Sequence, residues 1–244
     1  MAMSNISNIR RRFGLGRAVG YAACRCVQQV CLLDITHLMI KDAEKVVLRD
    51  LDVDLRCGFL NAEEVREFAR DPSNEIHPDV ADRIETGYDF CFAGTIGGRL
   101  ASYCWIALDS VEAEHNRYTD SVYSGIAFSF PLDHAFRYKG FTHPDFRGRR
   151  IYQRVGAEAS LAMQELGVRY LISTCEIVNY AALQSSYRSG YEYYGLLWLF
   201  GLGNRVVIHG PDLSDRGIRF GKHAQVLDRS KLLRTLDLPL AAAV

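Results

Sequence analysis

The sequence predicts a mixed α/β fold in which one long helix crosses between two neighbouring strands. Three observations lead there. Aromatic and aliphatic runs with strand character alternate with helical patterns along the 244 residues. Gly97-Gly98 separates two of those runs as a hairpin turn does, and Val155, Ala159, Ala162 and Leu166 form one apolar stripe at helical spacing. A helix joining two adjacent strands of one sheet calls for a right-handed parallel connection. The length suits one fairly large domain.

The chain opens on a basic segment. Residues 1–34 carry Arg10, Arg11, Arg12, Arg17 and Arg25 against a single acid, Asp34. The basic-then-apolar order from Ile9 to Leu33 is that of a signal peptide, and Tyr21-Ala22-Ala23-Cys24 has the look of a lipoprotein cleavage site. However, Arg25, Gln28 and Gln29 interrupt a short apolar stretch, which argues against both a leader and a membrane span. What remains is a basic helix with Val19, Cys26, Val27, Val30 and Leu33 as its apolar residues. Packing onto the domain is the leading reading, and contact with an anionic membrane surface or nucleic acid is the other.

Glu44 to Arg49, with adjacent Val46 and Val47, reads as a strand. Asn61 ahead of Ala62-Glu63-Glu64 caps a helix through Phe68, and Pro78 to Thr86 reads as a short helix closed by Gly87. Tyr88 to Ile96 and Arg99 to Leu108 are the hairpin strands, because paired glycines accept the positive φ of a two-residue turn with little strain. A polar excursion from Asp109 to Ser121 follows. Ala135 to Thr142 is the next strand, ended by Pro144. The striped helix runs from Ile151 to Gly167, and Val168 to Val178 resumes strand character. Asn179 caps a helix that Gly190 ends. Tyr191 to Phe200 and Arg205 to Ile208 add two strands, and Ala224 to Leu236 has a helical pattern. Residues 1–40 therefore read as a basic helical extension, 41–210 as the main domain and 211–244 as a C-terminal extension.

Composition narrows the function. Lys plus Arg and Asp plus Glu both number 29, so the whole molecule has no field to draw it onto nucleic acid. Cys24, Cys26, Cys31, Cys57, Cys91, Cys104 and Cys175 include no Cys-x-x-Cys pair, and the seven histidines show no paired metal spacing. The cysteines read as small apolar residues in a reducing, cytoplasmic setting, with peripheral membrane contact through residues 1–34 left open, and no metal is expected. There is no Walker A sequence, no Gly-x-Ser-x-Gly elbow and no His-Glu-x-x-His. Gly14-Leu15-Gly16-Arg17-Ala18-Val19-Gly20 nears a dinucleotide loop but misplaces its last glycine and follows no strand.

The chemistry gathers at Thr142-His143-Pro144-Asp145-Phe146-Arg147-Gly148-Arg149-Arg150-Ile151-Tyr152, between a strand and the striped helix. A strand-to-helix turn leaves backbone N–H groups unpaired at the positive end of the helix dipole, a natural seat for phosphate. Residues 137–154 hold six Arg or Lys and one Asp, so the positive charge falls where those amides converge. The plain alternative is a solvated basic helix face.

This segment resembles the acyl-CoA signature of the GNAT superfamily of N-acetyltransferases, in which a strand is followed by x-Pro-x-aromatic-Arg-Gly-x-Gly-x-Gly/Ala. Asn179 through Gly190-Tyr191 is similar to the family's later element, and the likeness covers about two-thirds of the chain, from Val46 to Ile208. It implies a GNAT-like, largely antiparallel sheet with a splayed parallel strand pair, flanked by helices. It also implies acetyl-CoA or another acyl-CoA as cosubstrate and a small amine as acceptor. Phe141 and Thr142 would meet the pantetheine and thioester, Arg147, Gly148, Arg149, Arg150, Ile151 and Tyr152 the pyrophosphate, and Asn179 the cofactor from the next helix. Thr142 replaces an aliphatic residue, and Arg150 and Tyr152 stand where the family has Gly or Gly/Ala, so Arg150 would itself pair with phosphate.

Acyl transfer to an amine needs a deprotonated nucleophile, a stabilised oxyanion and a protonated leaving thiolate. A backbone N–H near Phe141 or Thr142 is the expected polariser of the carbonyl. The family's tyrosine acid falls at Ser186 by count, which leaves Tyr187, one residue on, as the acid candidate. Glu176 and His134 are the candidates for the base, and a water relay would need neither. His143 is closer to the turn and is expected to cap it. The reading in another class is a nonenzymatic module of this fold that binds CoA or another anion and acts through its basic helix at a membrane or nucleic acid. An aminoacyl-tRNA-dependent transferase is a poorer third. The acceptor site is expected to border Asp109 to Asp133, with Glu112, Glu114 and His115.

Overall fold

The computed structural model describes residues 2–223, apart from 49, 52, 78–79, 86, 88, 117–124 and 203–204. Two helices come first, α1 (Ala2–Phe13) and α2 (Leu15–Val27), followed by strand β1 (Leu32–Asp42). Next are β2 (Leu55–Leu60), α3 (Ala62–Ala69), α4 (Ala81–Glu85), β3 (Asp89–Ile96), β4 (Arg99–Leu108), β5 (Ser110–Val111) and β6 (Ala127–Ser129). The second half contains β7 (His134–Thr142), α5 (Ile151–Glu165), β8 (Tyr170–Glu176), α6 (Tyr180–Arg188), β9 (Glu192–Leu202), β10 (Arg205–His209) and β11 (Arg219–Gly221). Eight strands form one sheet in the order β10-β9-β1-β8-β7-β4-β3-β2, and β11-β6-β5 form a smaller one. Every neighbouring pair in the large sheet is antiparallel except β7 and β8, which are parallel and joined through α5.

Local codes account for most elements. Gly97 (φ 57°) and Gly98 (φ 78°) both take positive φ in the β3–β4 turn, which matches the right-handed twist of the flanking strands. The Asn61 side chain accepts from the Glu64 amide at 2.9 Å while Glu64 accepts from the Asn61 amide at 2.8 Å, a reciprocal cap that starts α3. On α5, Ile151, Val155, Ala159 and Met163 are buried at four-residue spacing, so the stripe lies against the sheet. The Asn179 side chain accepts from the Ala182 amide and starts α6. Helices α5 and α6 cover one face of the sheet with Met39, Ile106 and Leu171 beneath them. Helices α3 and α4 and the small sheet cover the other, over Leu38, Trp105 and Phe136.

Four parts differ from expectation. The segment from Ile9 to Leu33 is not one helix: Gly14, at φ 92°, breaks it into α1 and α2. Residues 32–42 form β1, paired with β8 on one edge and β9 on the other, so the expected boundary at residue 40 falls inside a central strand. The strand expected at Glu44–Arg49 is instead a 3₁₀ turn over Ala43–Lys45, capped by Asp42 accepting from the Glu44 amide. Beyond residue 210, β11 pairs with β6 and ties that segment to the domain. The helix expected from Ala224 to Leu236 lies outside the described residues, as does part of the Asp109–Ser121 excursion. No described helix is long and apolar enough to cross a membrane.

The parallel pair is short. His134 lies opposite Tyr170, Ala135 opposite Leu171 and Phe136 opposite Ile172, and there the pairing ends. On its other edge β7 aligns Tyr138 with Trp105 but Phe141 with Tyr103, so Lys139 and Gly140 together face Cys104. Lys139 takes φ 45° to make this bulge. An extra residue bends its strand, and the bend falls where β7 leaves β8.

Candidate active site

After β7 the chain makes one 3₁₀ turn, Pro144–Phe146. His143 caps it: its Nδ1 accepts from the Asp145 amide at 3.2 Å, and its Nε2 is 3.0 Å from the Ser73 hydroxyl. The Phe146 amide donates to His143 O and the Arg147 amide to Pro144 O, so these two amides are taken. Gly148 (φ 81°) and Arg150 (φ 61°) then turn the chain into α5. Among the described residues, none accepts from the amides of Gly148, Arg149, Arg150, Ile151 or Tyr152. Arg147 donates from Nε to Thr142 O at 3.0 Å and closes the turn. The arginines at 147, 149 and 150 form no ion pair with a described acid. The left-handed conformation of Arg150 costs roughly 1–2 kcal/mol in a residue with a Cβ, which explains why glycine suits this position.

The gap beyond the short parallel pairing is lined by large side chains. A methyl group on Gly140 would overlap the Tyr152 ring and hydroxyl, so Tyr152 turns back from α5 onto the bulge. Arg137 is 4% exposed, with its guanidinium 4.7 Å from the Tyr152 ring centre and 5.7 Å from that of Tyr191. Gly156 on α5 leaves the space that this guanidinium fills. Phe141 is buried on the other face, stacked on Tyr103 at 5.3 Å, and its carbonyl accepts from the Ser102 hydroxyl.

The acid–base candidates are not brought together. His134 sits at the start of β7, its Nδ1 2.7 Å from Asp133 and its ring against Tyr170. The turn after Thr142 is eight residues further on, about 26 Å along a strand. Tyr187 is 42% exposed, with its hydroxyl 2.7 Å from Nδ1 of His37 on β1, two strands from β7, or roughly 10 Å across the sheet. Glu176 does end β8 near Asn179, but it accepts from Arg25 at 2.8 Å and from Gln28 at 3.3 Å, both contributed by the α2 segment. Beside it is Asp34, 1% exposed. Burial, reinforced by the Glu176 charge and partly offset by Arg25 and the Gln28 hydrogen bond, pushes the Asp34 carboxyl up to about 7.

Two cavities of about 290 Å³ each flank these groups. One lies between α1, α2 and the β8–α6 connection, with Arg12, Tyr21, Arg25, Glu176 and Asn179 in its wall. The other lies beside α5, walled by Lys41, Lys45, Arg150, Arg154 and Arg188. Asp34, His37 and Lys41 carry no signal as site residues in the sequence, because only the pairing of β1 brings them beside Glu176, Tyr187 and Ser160. Arg137 did carry a signal, a lone charge inside the aromatic run Ala135-Phe136-Arg137-Tyr138.

No protein-family model and no curated protein matches the chain. Among solved structures it is similar to a Drosophila protein, at 14% identity and TM-score 0.48, covering 78% of this chain and 59% of that one. It is similar to an acetyltransferase of the GNAT family from Colwellia psychrerythraea, at 17% identity and TM-score 0.44, over 76% of this chain and 62% of that one. An aminoglycoside acetyltransferase from an uncultured soil metagenomic sample, solved in complex with sisomicin, matches at 10% identity and TM-score 0.41, over 55% of this chain and 86% of that one. The chain spans less than two thirds of the first two proteins.

Proposed function

We propose that this chain is an acyl-CoA-dependent N-acyltransferase of the GNAT type, in the simplest case an acetyltransferase, acting on a small amine. The observation that carries the reading is the run of five amides, 148–152, with no described protein acceptor at the positive end of α5, beside the mouth of two diverging parallel strands. Such a run favours a diphosphate, and Arg147, Arg149 and Arg150 add charge around it. The pantetheine arm would run along β7 toward Thr142, which requires the Tyr152 ring to rotate off Gly140. The amine nitrogen would then attack the thioester carbonyl, forming C–N and breaking C–S, and the thiolate would leave with a proton. Glu176 is engaged by Arg25 at 2.8 Å, and the group beside it whose carboxyl burial lifts to about 7, able to hold or release a proton near neutrality, is Asp34.

Acetyl-CoA at one hundred times its Kd should stabilise the protein by about 2.7 kcal/mol, a rise in Tm on the order of 5–10 °C at this size. Arg147→Glu or Arg149→Glu should abolish the rise. An unchanged melt at saturating acetyl-CoA would sink the proposal.

The packing of Tyr152 on Gly140, with Arg137 and Tyr191 beside it, favours a second reading: a module that binds CoA or another anion without transferring anything. The exposed Leu15, Val19 and Val27 of α2 and Val30 just beyond it, with Arg17 on α2 and Arg10 and Arg11 on α1, would then meet a membrane surface. A thermal shift with acetyl-CoA but no release of free CoA across a panel of amines would select this reading.

A further inference from the structure

Away from the turn, two cations lie in the interior with no acid paired to either among the described residues. Lys41, on the α5 face of β1, is 3% exposed. Its ammonium donates to the Ser160 hydroxyl at 3.3 Å, and no described carboxylate lies within ion-pair distance. Arg137 is buried beside it with Nη1 unsatisfied among the described residues. The two cations share the ring of Tyr191, at 5.9 Å from Lys41 Nζ and 5.7 Å from Arg137 Cζ. Burial, with the Arg137 charge second, pulls Lys41 down to about 8, which still leaves it mainly protonated at neutral pH. A buried ammonium without a counter-charge is costly, and a fold that retains one has a use for it.

Lys41 does not face closed protein. It lines the cavity of about 290 Å³ beside α5, where Lys45, Arg150, Arg154 and Arg188 also converge. Among the described lining residues the acid is Asp50, solvated at the rim 4.0 Å from Arg154. Arg154 also pairs with Glu158 at 2.7 Å and Lys45 with Asp42 at 3.9 Å, which leaves Lys41, Arg150 and Arg188 without an ion pair to a described acid. Val47, Leu51 and Ala157 add an apolar side. The volume is at the lower end for an organic ligand, so it holds a phosphate group and a little of what carries it, with the remainder outside.

We propose that this cavity is a recognition site for the phosphate group of an organic phosphate, with Lys41 at its floor and Lys45, Arg154 and Arg188 around it. The inference does not rest on acyl transfer and stands even if the chain transfers nothing. The phosphate has two possible sources, the 3′-phosphate of a coenzyme A molecule seated on the neighbouring turn or a separate phosphorylated metabolite. Arg150 borders both the turn and the cavity.

The test is calorimetric titration of the full chain with coenzyme A, 3′-dephospho-coenzyme A and inorganic pyrophosphate, repeated on Lys41→Met and Arg188→Glu. Each variant should weaken binding of at least one probe tenfold or more. Without ligand, Lys41→Met should melt no lower than the parent, because it removes an uncompensated buried charge. Loss of a preference for coenzyme A over its dephospho form identifies the 3′-phosphate as the group read. Loss confined to pyrophosphate identifies a separate phosphate. If Lys41→Met does not fold, Arg188→Glu, at the surface, gives the same readout. Unchanged binding of all three probes in the folded variants, or no binding of any probe by the parent, overturns the site. Lys41-dependent pyrophosphate binding without thioester turnover would remove the acyl-transfer reading and leave this one.

Discussion

Asp34 is held by the first segment of the chain and has the clearest pH signature. Its Oδ1 accepts from Gln28 at 3.1 Å, its Oδ2 is buried without a partner among the described residues, and Glu176 is close enough to repel it. In the unfolded chain an aspartate titrates near 3.9, whereas the folded value is about 7. Between these two values the folded state binds the proton more tightly. Its contribution to stability is therefore present below about pH 4 and is lost as pH rises through 7. Asp34→Asn removes the charge and keeps the shape. It should be more stable than the parent at pH 8, by about 1–3 kcal/mol, and close to it at pH 4. Urea melts at the two pH values check this, and equal differences at both would contradict it. The residue was not legible as a site, because an aspartate after Leu32-Leu33 reads as the polar end of a helix until β1 is known to carry it inside.

The bulge in β7 connects the sheet to the turn. Lys139 and Gly140 bend the strand, and Tyr152 returns from α5 to cover Gly140. A side chain at residue 140 has to displace that ring. Gly140→Ala should cost about 1–3 kcal/mol, typical of overpacking, and much less when Tyr152 is also alanine. A double-mutant cycle by chemical denaturation should show a coupling of about 1 kcal/mol or more, and additive effects would mean that the two do not meet. At this scale much was legible. The Asn61 cap, the Gly97-Gly98 turn, the α5 stripe and the Asn179 cap are each written within a few residues. The bulge was not, because it is a mismatch between two strands and neither strand shows it alone. Val46 and Val47 illustrate the converse, a local preference for strand that found no neighbouring edge to pair with once β1 had taken the place between β8 and β9.

For the molecule as a whole, the N-terminal segment belongs to the architecture in two degrees. Helices α1 and α2 pack on the end of the sheet through Arg25–Glu176 and the Phe13–Tyr180 contact, while β1 has hydrogen-bonded neighbours on both edges. Removing residues 1–30 should leave a protein that unfolds cooperatively at a lower temperature. Removing residues 1–42 should abolish the cooperative transition, since it takes out a strand from the middle of the large sheet. Circular dichroism melts of the two truncations distinguish the outcomes, and a cooperative melt of the shorter chain would show that the sheet closes without β1. Strand order is also why the turn was readable and the acid–base candidates were not. The five amides depend on local geometry, whereas what faces Glu176 or Tyr187 depends on which strand lies alongside, and proximity in sequence does not reveal that.

The position of β1 also bears on synthesis. On the ribosome β1 is made before the other strands of the large sheet, yet β8, the earlier of the two neighbours that complete its edges, follows only about 130 residues later. At ordinary elongation rates that is a wait of roughly 6–25 s, during which Leu38, Met39 and Ile40 have no core to enter. A nascent chain built this way gains from a chaperone that shelters β1 until β8 and β9 have been made.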